Sequence, residues 1–151
     1  MALRWFLDES ALGLGKLLAR TRDDVIYAGH PDLPEIPLGT IDVGWMPIVA
    51  ARDWVAIRRD RRIHTRPLEV RVFSEVGLRT VWLGGKKDMG SYQQLDLVIR
   101  HWQALEDRRE ELGPGLRSVT LLGGGAPAGL ETRSLITSRS GDARPGICAP
   151  T

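Results

Sequence analysis

Five short apolar runs, each separated from the next by enough chain for a crossover, constrain this sequence more than any other feature. They lie at about 3–7, 25–28, 54–59, 78–83 and 116–122. Parallel strands need crossover connections of a dozen or more residues, usually helical, and most of the intervals carry helix signals. Ser10 reads as an N-cap for a helix over about 11–21 with Leu12, Leu14, Leu17 and Leu18, although Gly13 and Gly15 weaken it. Residues 29–39 hold Pro31, Pro34 and Pro37 and read as an irregular loop. Thr40 or Asp42 caps a helix to about Arg52, in which Pro47 predicts a kink or a later start. Thr65 and Pro67 open a helix with Val70, Phe73 and Val76 on one face and Gly77 as its C-cap. Leu95, Val98, Ile99, Trp102 and Leu105 stripe the longest helix, about 93–112. Such alternation predicts an α/β sandwich around a mainly parallel sheet. The run at 116–122 is the last expected strand. Beyond Gly123 periodicity is lost, which predicts a domain over 1–136 and a disordered tail over 137–151.

At 151 residues the chain has the length of one domain with a real core. Its net charge is only +2, yet all but three of its 21 basic residues (Lys16, Lys86 and Lys87) are arginine. Arginine's planar fork grips phosphate in bidentate fashion. A GC-rich genome accounts for the arginine total; its clustering is a separate matter. Cys148 is the single cysteine, so neither an internal disulfide nor a Cys-rich zinc site is available. No apolar run approaches the length of a membrane helix. The acid pair Asp8-Glu9 interrupts the N-terminus before a signal-peptide core could form. A cytoplasmic protein is the expectation.

Three aspartates occupy positions that such a fold would expose together. Asp8 closes the first run, Asp60 closes the third, and Asp42 opens the helix between them. In parallel sheets ligands bind outside the carboxyl ends of the strands. Acids gathered there repel one another unless a cation joins them, and oxygen ligands suit Mg²⁺ or Mn²⁺. That chemistry serves phosphate esters, because a metal polarises the phosphoryl oxygen and supplies hydroxide. Glu9 is the most available fourth acid. Each aspartate alone has an ordinary explanation: a strand-end residue, a helix cap, a turn. Their joint placement is what indicates a site. Asp24 and Asp53 precede strands and read as turn residues at the opposite edge. Residues 58–66 form the densest basic cluster, and Arg61, Arg62 and Arg66 are the candidates for contacting a nucleic-acid backbone. Lys86 and Lys87 extend that rim. His64 reads as a loop histidine, His30 and His101 have no expected role, and the five tryptophans read as core.

The run Asp42-x-x-Trp45-x-x-x-x-Ala50-x-x-x-Trp54-Val55-x-Ile57-x-x-Asp60-Arg61-Arg62-Ile63 resembles a signature of PIN-like nucleases, and Trp5-Phe6-Leu7-Asp8-Glu9 resembles their first strand. Gly39-Thr40, Thr65-Arg66-Pro67 and Gly113-Pro114 agree with it. The likeness covers about residues 4–122 and is nearest to compact VapC-type toxins of bacterial toxin–antitoxin pairs. It implies a three-layer α/β/α sandwich and a Mg²⁺- or Mn²⁺-dependent ribonuclease held inactive by a cognate antitoxin, with a homodimer by analogy. Asp8, Asp42 and Asp60 fall on the family's acids. The helix acid that many PIN domains carry between the first two has no clear counterpart. Either Glu9 substitutes, or three acids suffice, or activity is weak.

Two other readings stand beside it. A response-regulator receiver would use Asp8-Glu9, Asp60 and Lys86 but leaves Asp42 without a purpose. A PIN-like module that binds RNA or a partner without catalysis accommodates the missing acid.

Overall fold

The computed structural model describes residues 2, 4–59, 65–84, 89–109, 117–121 and 130–134. Their elements run β1 (Trp5–Leu7), a 3₁₀ turn at Glu9–Ala11, α1 (Leu12–Ala19), β2 (Val25–Tyr27), α2 (Asp42–Ala51), β3 (Val55–Arg58), α3 (Pro67–Val76), β4 (Arg79–Leu83), α4 (Ser91–Arg108), β5 (Arg117–Leu121) and β6 (Leu130–Ser134). The six strands form one sheet in the order β2-β1-β3-β4-β5-β6. The pairs from β2 through β5 are parallel, and β6 returns antiparallel along β5. Strand order reverses between β1 and β3, which is where an open doubly wound sheet leaves its crevice.

Side-chain alternation explains the layers. Trp5 and Leu7 point into a core shared with Val55, Ile57 and Val81, covered by α1 and α4. Phe6 points the other way and packs with Ala56 and Trp82 under Trp45 and Met46 of α2 and Phe73 of α3. The three-layer α/β/α sandwich expected from the sequence is therefore present. Trp5, Trp45, Trp54 and Trp82 are buried in it, and Trp102 packs partly buried against it.

Several details differ from the expectations. Ser10 does not cap α1, whose N-cap is Ala11; its hydroxyl is committed to Asp8. Asp42 is the first helical residue of α2, after an N-cap at Ile41. The helix starts at Asp42 and contains Pro47, so the later start does not occur. β5 is not the last strand: β6 follows it. The residues of β6, Leu-Glu-Thr-Arg-Ser, carry no apolar alternation, and this edge strand is specified by its ladder with β5. The proposed tail over 137–151 lies outside the described residues.

The two glycines of α1 are explained by packing. A Cβ at Gly15 would stand 2.9 Å from Tyr27 Cβ and 3.2 Å from Leu7 Cβ, both rooted in strands. A Cβ at Gly13 would meet Ser91 Oγ at the start of α4. Gly15 thus trades helix propensity for close approach to β1 and β2. Gly15→Ala is expected to lower stability by about 1–2 kcal/mol, because overpacking against fixed strands outweighs the helix propensity gained. Urea denaturation checks the sign; a more stable variant would contradict it.

Candidate functional site

The strand ends at the β1/β3 crevice carry the residues of interest. Asp8 follows Leu7 at the end of β1, Arg58 is the last residue of β3, and Asp42 opens α2 across the same face of the sheet. Arg58 lies next to Ile57, so alternation turns it to the α2 side. There its guanidinium lies 5.0 Å from the Trp45 ring and 5.4 Å from the Trp82 ring.

Arg58 joins the two acids. Its Nε donates to Asp8 Oδ2 at 2.7 Å, and its Nη2 donates to Asp42 Oδ2 at 2.7 Å. The side chain is 1% exposed. The remaining carboxylate oxygens are also engaged: Asp8 Oδ1 accepts from Ser10 Oγ at 2.5 Å, and Asp42 Oδ1 accepts from the Trp45 indole Nε1 at 3.1 Å. Ser10 Oγ in turn accepts from the Arg59 backbone N–H at 2.9 Å, which ties the end of β3 to the 3₁₀ turn after β1.

Burial pushes the Asp8 carboxyl above the ordinary aspartate range, while Arg58 and the Ser10 hydroxyl pull it back; the neighbouring Asp42 charge adds a smaller upward push. For Arg58, burial alone would favour the neutral form. The two carboxylates more than offset this and hold its pKa above the usual value, so it is a permanent cation.

The other expected site residues are placed differently. Glu9 is exposed, its Oε1 accepting from the Gly39 backbone N–H in the loop before α2. Arg66 is the N-cap residue of α3 and pairs on the surface with Glu69 at 2.8 Å. Asp60, Arg61, Arg62, His64, Lys86 and Lys87 lie outside the described residues. Asp53 is a turn residue with φ +57°, paired with Arg79 at 3.0 Å. Asp24 lies at the opposite edge, yet it is buried and takes a bidentate contact from Arg22. His101 is buried, with Nδ1 at 2.9 Å from the Leu97 carbonyl.

Among the described residues no group of three or more His, Cys, Asp or Glu side chains could hold a metal ion. In this arrangement Asp8 and Asp42 do not fit Mg²⁺ or Mn²⁺, since a buried guanidinium is already paired with both of them and would repel a second cation. The cation that joins the acids is Arg58. Sequence reasoning gave Arg58 no role, although a charged residue closing the buried run Val-Ala-Ile is itself a signal that anions must lie nearby.

A family model described as a PIN-like domain matches residues 3–85, more than half of the chain. The matched span takes in β1 through β4 and both acids of the crevice. The chain belongs to the PIN-like domain family. No curated protein and no solved structure matches it. With this membership the receiver-domain reading loses its basis.

A buried ion that loses its partners is expensive, about 3–5 kcal/mol when one member of a buried pair is removed. Arg58→Met is expected to cost that much in urea denaturation, because it strands Asp8 in a buried site. Arg71→Met, which breaks the exposed Arg71–Glu75 pair on α3, leaves the midpoint nearly unchanged. Equal effects from the two substitutions would refute the energetic role of the Arg58 fork.

Proposed function

We propose that this protein is a metal-dependent ribonuclease of the PIN-like class, hydrolysing RNA phosphodiesters as the toxin of a toxin–antitoxin pair. One observation carries the reading: in a PIN-like chain, Asp8 and Asp42 meet at the carboxyl edge of β1 and β3, close enough for one guanidinium to bridge them. Asp60 stands two residues past Arg58 in sequence and is assigned to the same acid set. Asp8, Asp42 and Asp60, with Glu9, are the residues proposed to take Mg²⁺ or Mn²⁺ once the acids are freed from Arg58. Arg61, Arg62 and Arg66 are the proposed contacts to the RNA backbone, where arginine gives salt-sensitive and sequence-independent grip. A cognate antitoxin is the proposed partner and the cytoplasm the proposed compartment. No described helix is long and apolar enough to cross a membrane.

A second reading is favoured by a specific observation. The complete engagement of the Asp8 and Asp42 oxygens by protein donors suits a PIN-like module that binds RNA or a partner without cleaving it.

Incubation of the purified protein with RNA in Mn²⁺ or Mg²⁺ separates the two. The nuclease reading expects cleavage that EDTA stops and that Asp42→Asn abolishes while the circular dichroism spectrum stays native. RNA retained on the protein but left intact in either metal supports the binding module. Cleavage untouched by Asp42→Asn would remove Asp42 from the site.

A further inference from the structure

We propose that Arg58 is the resident cation of the Asp8–Asp42 pair, a positioning residue that excludes a divalent ion from bridging these two carboxylates. For the nuclease reading above, on which only this consequence rests, Arg58 is then a built-in latch that must leave before the acids can be used.

Three independent features support the exclusion. One oxygen of each carboxylate, Asp8 Oδ2 and Asp42 Oδ2, is bound to Arg58 Nε and Nη2, each at 2.7 Å, so the place between the two acids is already held by a cation. A second positive charge there would meet a cation that is 1% exposed and poorly screened by water. Position is fixed from the backbone as well, since Arg58 pairs in register with Trp82 and its head lies near the rings of Trp45 and Trp82.

The fit is incomplete in one respect. Arg58 Nη1 is buried and has no hydrogen-bond partner among the described residues. A buried donor left unmet carries a desolvation penalty. The unmet Nη1 makes the closed arrangement less favourable than a saturated one.

The test is Mn²⁺ binding by the full chain, read from the electron paramagnetic resonance signal of free Mn²⁺ rather than from activity. Arg58→Gln is expected to bind Mn²⁺ more tightly than wild type by about tenfold or more, the scale on which neighbouring groups tune metal sites. Adding Asp42→Asn to that variant should remove the gain. Equal affinity in wild type and Arg58→Gln, whether measurable or nil, overturns the proposal.

Should Arg58→Gln fail to fold, wild-type protein carries the test through the ¹⁵N signal of the Arg58 Nε–H during Mg²⁺ titration. Mg²⁺ bound at these acids, shown by its loss in Asp42→Asn, must not coexist with an unchanged Arg58 Nε–H. Their coexistence overturns the proposal, and the absence of coexistence supports it. RNA cleavage is scored separately. A gain of Mn²⁺ affinity with no cleavage by either protein defeats the nuclease reading and leaves the exclusion standing. Cleavage with equal affinities has the reverse meaning.

Discussion

A guanidinium at 1% exposure requires anions, and in this chain that requirement locks three separate pieces of backbone together. Arg58 at the end of β3 is bound to Asp8 after β1, 50 residues away, and to Asp42 at the start of α2, 16 residues away. The Ser10 hydroxyl extends the lock by bridging Asp8 to the Arg59 backbone N–H. The same guanidinium that joins the charge network lies beside the indole rings of Trp45 and Trp82. Such a pair is weak as a source of net stability but strong as a specifier, because any arrangement that separates its members strands a buried charge.

The opposite end of the same strands is organised by a comparable device. Arg22 holds Asp24 through two bonds of 2.8 and 2.7 Å, reaches Glu106 of α4 at 3.3 Å, and stacks 4.3 Å from Trp102. The Asp24 carbonyl accepts the backbone N–H groups of Arg4 and Trp5. This network sits at the amino-terminal edge of a parallel sheet, where ligands do not ordinarily bind, and all its carboxylates serve local partners. Its role is to dock α4 and the entry of β1. The two networks differ in enclosure: at the far end a half-buried Arg22 is shared by buried Asp24 and partly buried Glu106, whereas Arg58 is itself fully enclosed.

The elements with strong local signals were legible in the sequence. Gly77 ends α3 in the left-handed conformation, φ +63°, that a C-cap glycine supplies, and the Pro67 start agrees to the residue. The three-layer arrangement followed from strand and helix alternation. What could not be read was set by contacts distant in sequence. The polar strand β6 exists through pairing with β5, and Ser10 looks like a cap until Asp8 is seen to claim it. The convergence of Asp8 and Asp42 was legible from their positions at the ends of elements. The identity of the cation between them was not, because Arg58 looked like one more arginine of a basic cluster. Arg58 Nε and Nη2 face inward on acids, while Arg59 Nη1 faces the Met89 carbonyl and Arg66 faces Glu69. A run of like residues in sequence is split by strand pleating into groups with unrelated tasks.

That division bears on what the crevice can do. Asp8, Asp42 and Arg58 together carry one net negative charge, so the enclosed site neither attracts a polyanion nor presents the bare carboxylates that a hard cation requires. Attraction of a phosphate backbone therefore cannot arise inside the crevice; in the proposed nuclease it would fall to other basic residues. In the proposed nuclease the acids would contribute only after Arg58 is withdrawn, and withdrawal would free both Oδ2 atoms at once because a single fork holds both. With the fork seated, two carboxylates share one cation; under the proposed latch its withdrawal would leave both open to another cation together.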